Sequence, residues 1–334
     1  MPPRSPTSSS SAASTGGVAS SLFDRPYLLL TLTALFWSGN FVLGRAVHGS
    51  VPPVGLAFWR WAGATLILLG PAWSHLRRDR AVLAASWPIV LVLSALGVAV
   101  FNTLVYIGLQ TTSALNAVLM QSTMPVMIVA LGFVVFHDGV TILQALGVAL
   151  SLSGAVAIVA RGNPAALAGL ALNRGDLWIA LAVASYSAYS VLLRRRPAVH
   201  PLSLLVATFL PGSLMILPFY LWESLSGRPI RLDPPSLLAI GYVAVFPSIL
   251  AYFCFNRGVE LVGANRAGLF IHLMPVFGSI MAVLFLGERF EPFHAAGIAL
   301  ILAGIVLATR RSRGDGGTAA PATASAPTAP DRTQ

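Results

Sequence analysis

Asn102 and Tyr106 stand four residues apart in an apolar run, so on a helix they share one face. Tyr252 and Asn256 repeat the pair in swapped order 150 residues later. Amides and phenols inside a bilayer are costly to bury and face either a cavity or a neighbouring helix. One reading is hydrogen bonding to a bound solute from two related helices. The other is helix–helix hydrogen bonding, about 0.6 kcal/mol per contact in membranes. Because both copies keep both residue types, the cavity is favoured. Ser122 and His272 are also 150 apart, each three residues before a proline, Pro125 or Pro275. A proline removes one backbone donor and frees a carbonyl, so backbone near it can meet a ligand where a cavity exists. His272 is the one histidine deep in an apolar run. It could bind solute, relay a proton near neutral pH, or be held by a neighbouring helix.

Aromatic and amide groups extend this set. Tyr186 and Tyr189 are three apart and could stack on a flat solute, and Trp37 is the corresponding aromatic near the start of the chain. Asn40 follows Trp37 by about one turn and joins its face. Asn116 and Gln121 are five apart and do not share a face; Asn116 is taken as the one turned to the cavity. The candidate solute-binding residues are therefore Trp37, Asn40, Asn102, Tyr106, Asn116, Ser122, Tyr186, Tyr252, Asn256 and His272. Arg60 lies seven residues past Pro53 and could attract a carboxylate. Its neighbours Trp59 and Trp61 resemble an interfacial belt, so it is expected to snorkel to the outer surface. Asp138 and Glu288, also 150 apart, are expected to complement the positive N-termini of the helices that follow them. Gly147/Gly154 and Gly297/Gly304 are spaced seven apart and read as close helix packing.

Long apolar segments must position these residues. Of 334 residues, 56% are hydrophobic and 10% charged, and the mean hydropathy is +0.78. Soluble domains run at roughly 45–50% apolar and about 25% charged. This composition argues against a cytosolic enzyme, a secreted domain or a nucleic-acid binder. The net charge is +10, and all 21 basic residues are arginine. They fall singly or in threes between apolar runs and form no basic face for a duplex. The lone Cys254 excludes an internal disulfide and a cysteine-based metal site. Ten apolar runs approach the ~20 residues needed to span a bilayer: 27–47, 54–73, 86–108, 112–136, 140–160, 176–193, 202–222, 237–256, 264–286 and 292–309. With the N-terminal tail inside, fourteen arginines fall in inside segments and six in outside ones, with Arg60 within a span. That bias places both termini in the cytoplasm. The segments 1–25 and 311–334, rich in Ser, Ala, Thr and Pro, read as disordered tails.

The 150-residue offset is a repeat. Between 101–161 and 251–311, fifteen of 61 positions are identical, including Met124-Pro125-Val126 against Met274-Pro275-Val276. The halves 26–161 and 162–310 would each hold five spans. Five is odd, so the second copy enters the membrane from the opposite side. The expected fold is all-α and integral to the membrane, with ten transmembrane helices in two inverted five-helix repeats. Many secondary transporters use that architecture for alternating access.

The residues also carry a family resemblance. Trp37-Ser38-Gly39-Asn40-Phe41, Phe58-Trp59-Arg60-Trp61, Pro125, Pro275, and Leu286-Gly287-Glu288 through Gly297 and Gly304 resemble an EamA-type permease of the drug/metabolite transporter superfamily. The resemblance covers about 25–310. It implies ten helices in two inverted halves, a central cavity, and transport of small metabolites, with no cargo named. Amino acids or drug-like aromatic compounds suit an aromatic-and-amide cavity. All eleven acids lie in loops, tails or span ends, which argues against coupling through a buried carboxylate. An integral-membrane enzyme and a channel-like pore are the rival classes. The expected partners are a small-molecule substrate and the lipid bilayer of the cytoplasmic membrane, with no nucleic acid, no metal and no cofactor; a homodimer is left open.

Overall fold

The computed structural model describes residues 23–46, 51–112, 114–163, 165, 173–231, 233–286 and 289–309. It describes their side chains too, except those of 41, 42, 44–46, 114–116, 282, 285 and 286. The expected tails, apart from Phe23, Asp24 and Arg25, lie outside these residues, as do Glu288 and the Asn116 side chain.

Among the described residues, twelve helices fall into two sets of six. The first set is α1 (Pro26–Ala46), α2 (Pro53–Ala85), α3 (Trp87–Gly108), α4 (Ala114–Gln121), α5 (Met124–Phe136) and α6 (Ile142–Val159). The second is α7 (Arg174–Leu192), α8 (Pro201–Leu225), α9 (Pro234–Val262), α10 (Ala264–Leu269), α11 (Leu273–Leu286) and α12 (Pro292–Thr309). The described residues contain no strand. Among the described residues, eight helical stretches are long and apolar enough to cross a membrane. Leucine, tryptophan and phenylalanine side chains such as Leu66, Trp222, Phe219, Leu238 and Leu284 stand exposed on the outside. Asn102, Ser187, Ser248 and His272 are buried. That inversion suits a lipid surround, where backbone groups must be satisfied within helices.

Local chemistry sets the helix ends. Pro53 begins α2 with no side-chain cap of its own. Glu223 of α8 supplies the missing acceptors, taking hydrogen bonds from the Val54 and Gly55 N–H groups at 3.3 and 2.7 Å. Thr141 and Gln144 form a reciprocal capping box on α6, and Asn173 and Asp176 do the same on α7. Asp233 caps α9 by accepting from the Ser236 N–H at 2.9 Å. Hydrogen bonding from Ser236 holds its carboxyl below the usual range. Asp138 was expected to complement the start of α6. It instead pairs with Arg194 at 2.7 Å, because Thr141 already fills the cap.

The packing is two-fold. α6 packs on α12 and α2 on α8. α1 packs on α9 and α11, while α7 packs on α3 and α5. The glycine contacts give the direction. A Cβ on Gly147 would sit 2.6 Å from the Gly304 carbonyl, and one on Gly154 would sit 2.6 Å from the Gly297 carbonyl. Gly147 corresponds to Gly297 in the repeat, and Gly154 to Gly304. Early-to-late contact between corresponding helices requires them to run antiparallel. The close-packing role expected of these glycines therefore holds.

Two spans depart from single straight helices. The expected span 112–136 is divided between α4 and α5, and 264–286 is divided by a 3₁₀ turn at Phe270–His272. Pro125 and Pro275 each lie just inside the second piece, where a missing N–H is tolerated. The expected span 54–73 instead runs to Ala85, so Arg77, Arg78 and Arg80 ride on the end of α2 rather than in a loop. Inside α3, Ala95–Val100 is π-helical, and inside α9 Val245–Leu250 is π-helical. These segments are 150 residues apart, so the repeat is expressed in backbone geometry as well as in sequence.

Candidate functional site

The π segments expose carbonyls at the centre of the molecule, and side chains from the opposite half reach them. Gly97 lies in the first segment, and its carbonyl accepts from the Tyr252 hydroxyl. Pro247, its counterpart 150 residues on, accepts from Trp37 Nε1 at 3.1 Å and from Arg60 Nη2 at 3.0 Å. Pro247 has no N–H to give back to the preceding turn. The Val243 carbonyl takes the Ser248 hydroxyl at 2.6 Å instead. Irregular turns of this kind often mark functional positions in helices. A Cβ on Gly97 would collide with the Tyr189 ring, so the glycine permits that ring's close approach.

Arg60 is the hub. Only 1% of it is exposed, so it does not snorkel to the surface as expected. Its Nε donates to Ser248 Oγ at 2.6 Å. Nη1 donates to Asn40 Oδ1 and to the Tyr106 hydroxyl, both at 3.0 Å. The Tyr106 hydroxyl also donates to Asn40 Oδ1 at 2.9 Å. The guanidinium lies 4.8 Å from the Trp61 ring centre, a cation–π distance. The expectation failed because these acceptors come from α1, α3 and α9, distant in sequence, while the flanking tryptophans resemble a surface belt only along α2. Among the described residues no carboxylate pairs with Arg60.

Beside Arg60 is a small closed cavity of about 10 Å³, roughly the space of one water molecule. Trp37, Asn40, Arg60, Phe101, Asn102 and Gln121 line it from the first half, with Met124. Tyr186, Ile271 and Met274 line it from the second. Three buried donors on this wall make no well-formed hydrogen bond among the described residues: Gln121 Nε2, and Asn102 Nδ2 and the Tyr186 hydroxyl, which only approach the Tyr252 hydroxyl. Orphaned groups of this kind are rare and call for an explanation. Trp37, Tyr186 and Tyr252 form an aromatic cluster beside it, with Trp37 edge-on to Tyr186 at 5.3 Å and Tyr186 edge-on to Tyr252 at 5.9 Å.

The sequence candidates divide into three groups. Trp37, Asn40, Asn102 and Tyr186 line the cavity, and Tyr106 and Tyr252 bond to residues or backbone beside it. His272 and Ser122 form a separate brace. His272 Nε2 is 2.8 Å from the Ser122 carbonyl, which can only accept, so this nitrogen carries the proton. Nδ1 is 2.7 Å from Ser151 Oγ and takes that hydroxyl's hydrogen in the neutral ring. Both ring nitrogens are thus occupied, and the Ser122 hydroxyl turns to the Val118 carbonyl. Asn256 accepts from the Tyr189 hydroxyl at 2.8 Å and lines a different cavity. Gln121, passed over for Asn116, lines the central cavity, and so does Phe101. Gln121 is the last residue of α4, at the break before α5.

The second cavity, about 260 Å³, is larger and more open. Phe23, Arg196, Pro197, Asn256, Arg257 and Glu260 are among its lining residues. Glu260 pairs with Arg196 at 2.8 Å and with Arg257 at 3.1 Å, and Arg257 also pairs with Asp24 at 2.6 Å. Asn256 and Tyr189 stand between this basin and the aromatic cluster.

Comparison with known proteins decides the family. The sequence model of the EamA-like transporter family matches twice, over residues 25–160 and 173–310. The chain belongs to that family. This EamA-like protein is 28% identical to the uncharacterized transporter YyaM of Bacillus subtilis (strain 168), over 85% of this chain and 93% of that one. It is 27% identical to an uncharacterized transporter of Archaeoglobus fulgidus, over 86% and 98% of the two chains. It is 25% identical to the S-adenosylmethionine/S-adenosylhomocysteine transporter of Chlamydia trachomatis serovar L2, over 80% and 84%. A crystal structure superposes with a TM-score of 0.70 at 20% identity, covering 85% of this chain and 96% of that one, and so shares the fold. The protein is a multi-pass membrane protein of a transporter family.

Proposed function

We propose that this chain is a secondary carrier that moves a small metabolite across the cytoplasmic membrane by alternating access. Ten spans, with α4–α5 and α10–α11 each counted as one, would place both termini in the cytoplasm. The arginine bias supports that orientation. One observation carries the reading: a small cavity lies between the two halves of the repeat and is lined by residues of both. Parting the halves on one side and then the other would expose the same cavity to each face in turn. The two π segments, bonded across the half–half interface, are the elements whose contacts would have to exchange. Trp37, Asn40, Asn102, Gln121 and Tyr186 are the residues proposed to contact the cargo.

The cavity chemistry supports a carrier over an enzyme. It offers amides, phenol, indole and one guanidinium, without a convergent acid–base pair among the described residues. Amino acids or drug-like aromatic compounds suit that lining. The Chlamydia relative's two named solutes each join an adenine ring to an amino-acid end, which agrees with that class. Counterflow in proteoliposomes tests the reading. Preloaded unlabelled cargo should accelerate saturable uptake of the labelled compound. Unsaturable flux without trans-stimulation would mean a pore and refute it.

A further inference from the structure

We propose that the cargo carries a carboxylate and that Arg60 is its counter-ion. This rests on the carrier reading above and narrows its substrate. Arg60 is a buried, permanently charged group whose partners are all neutral: Ser248 Oγ, Asn40 Oδ1, the Tyr106 hydroxyl and the Pro247 carbonyl. Burying a charge is costly unless it is both hydrogen-bonded and paired. The first condition is met at four of its five N–H groups and the second is not met among the described residues. The four bonds fix the guanidinium's orientation before any cargo arrives, so little ordering remains to be done on binding.

Counting donors narrows the chemistry. A guanidinium has five N–H groups. Four are engaged, which leaves one on Nη2. Asn102 Nδ2, Gln121 Nε2 and the Tyr186 hydroxyl are three further donor atoms on the same cavity, each buried and without a well-formed hydrogen bond among the described residues; Asn102 and Tyr186 approach the Tyr252 hydroxyl, while Gln121 Nε2 is unmatched. An ionised carboxylate is acceptor-only and offers about four lone-pair sites. One negative charge meets one positive charge, and four donor atoms, Arg60 Nη2, Asn102 Nδ2, Gln121 Nε2 and the Tyr186 hydroxyl oxygen, with six open hydrogens between them, are more than enough for its four acceptor sites. An ammonium would bring a like charge to Arg60 and find no carboxylate. A phosphate dianion would bring one charge too many, since among the described residues no second cation lines the cavity. A neutral solute would satisfy the donors and leave the charge unmatched. The rest of the wall, with Trp37, Phe101, Met124 and Met274, is suited to an apolar or ring-bearing body. At about 10 Å³ the closed cavity admits no such body. The pairing therefore forms as the halves part.

The test uses the full chain in nanodiscs and four probe pairs: phenylacetate and phenylacetamide, benzoate and benzamide, L-phenylalanine and L-phenylalaninamide, L-leucine and L-leucinamide. Binding is followed by tryptophan fluorescence, since Trp37 and Trp61 flank Arg60. At least one carboxylate should bind tenfold or more tighter than its amide. Arg60→Gln should abolish that preference, and Arg60→Lys should keep part of it. Asn102→Ala with Gln121→Ala should weaken carboxylate binding while Arg60 stays in place. The wild-type comparison stands even if Arg60→Gln fails to fold. Amides binding as tightly as acids, no acid binding at all, or a preference that survives Arg60→Gln in folded protein would each overturn the inference. Counterflow separates the two claims. Saturable counterflow of amides alone would keep the carrier and remove the counter-ion role. Acid-selective binding without counterflow would keep the counter-ion and remove the carrier.

Discussion

Replacing His272 by alanine should cost stability and leave cargo affinity intact. The imidazole is fully buried, and its two nitrogens tie the Ser122 carbonyl to the Ser151 hydroxyl. These bonds join the α10–α11 break of the second half to the α4–α5 break and to α6 of the first. Each is worth about 0.6–1.5 kcal/mol, the lower figure being typical of membrane helices. Two bonds give a loss of about 1–3 kcal/mol. Ser151→Ala removes one of the bonds and should cost about 1 kcal/mol. The assay is thermal unfolding of purified protein in mild detergent, with binding of the best probe measured in parallel. His272→Ala should unfold at lower temperature, with its dissociation constant unchanged within about twofold. A variant of unaltered stability that no longer binds cargo would refute the brace and return His272 to the binding surface. A transport rate whose pH dependence vanishes in His272→Asn would refute it equally, by showing a proton relay.

Other outcomes follow from the packing. Gly304→Ala would place a methyl 2.5 Å from the Gly147 carbonyl, so α6 and α12 must part. Overpacking of this kind costs about 1–3 kcal/mol, and thermal unfolding should show it while cargo affinity is kept. Gly97→Ala should both destabilise the protein and slow counterflow, because the methyl meets the Tyr189 ring on a segment that also holds Tyr252. In a Cys254→Ala background, Ser20→Cys and Ser312→Cys should be labelled by an impermeant maleimide from the cytoplasmic face alone; labelling on opposite faces would refute the proposed topology.

Much of this arrangement was legible in the residues. The 150-residue offset marked the repeat, and the paired glycines at 147, 154, 297 and 304 marked the α6–α12 contact. Trp37, Asn40, Asn102 and Tyr186, which line the cavity beside Arg60, stood out because polar and aromatic groups in apolar runs need a cavity or a partner. Arg60 was misjudged because its acceptors on α1, α3 and α9 are brought together only by tertiary packing, whereas its tryptophan neighbours are visible along one helix. His272 was equally ambiguous. A buried histidine with both nitrogens engaged and one that meets a solute have the same local sequence. The π segments at Ala95–Val100 and Val245–Leu250 left no periodic signature, since one extra residue per turn is hidden in an apolar run. Pro247, lying within the second, was their one local clue.

Accessibility of Gln121 from both membrane faces tests alternating access most directly. Gln121→Cys in the Cys254→Ala background is exposed to an impermeant thiol reagent in right-side-out and in inside-out vesicles. The account predicts reaction from either face, protection by cargo, and no leak of the reagent across the membrane. Reaction from one face alone, with or without cargo, would contradict it.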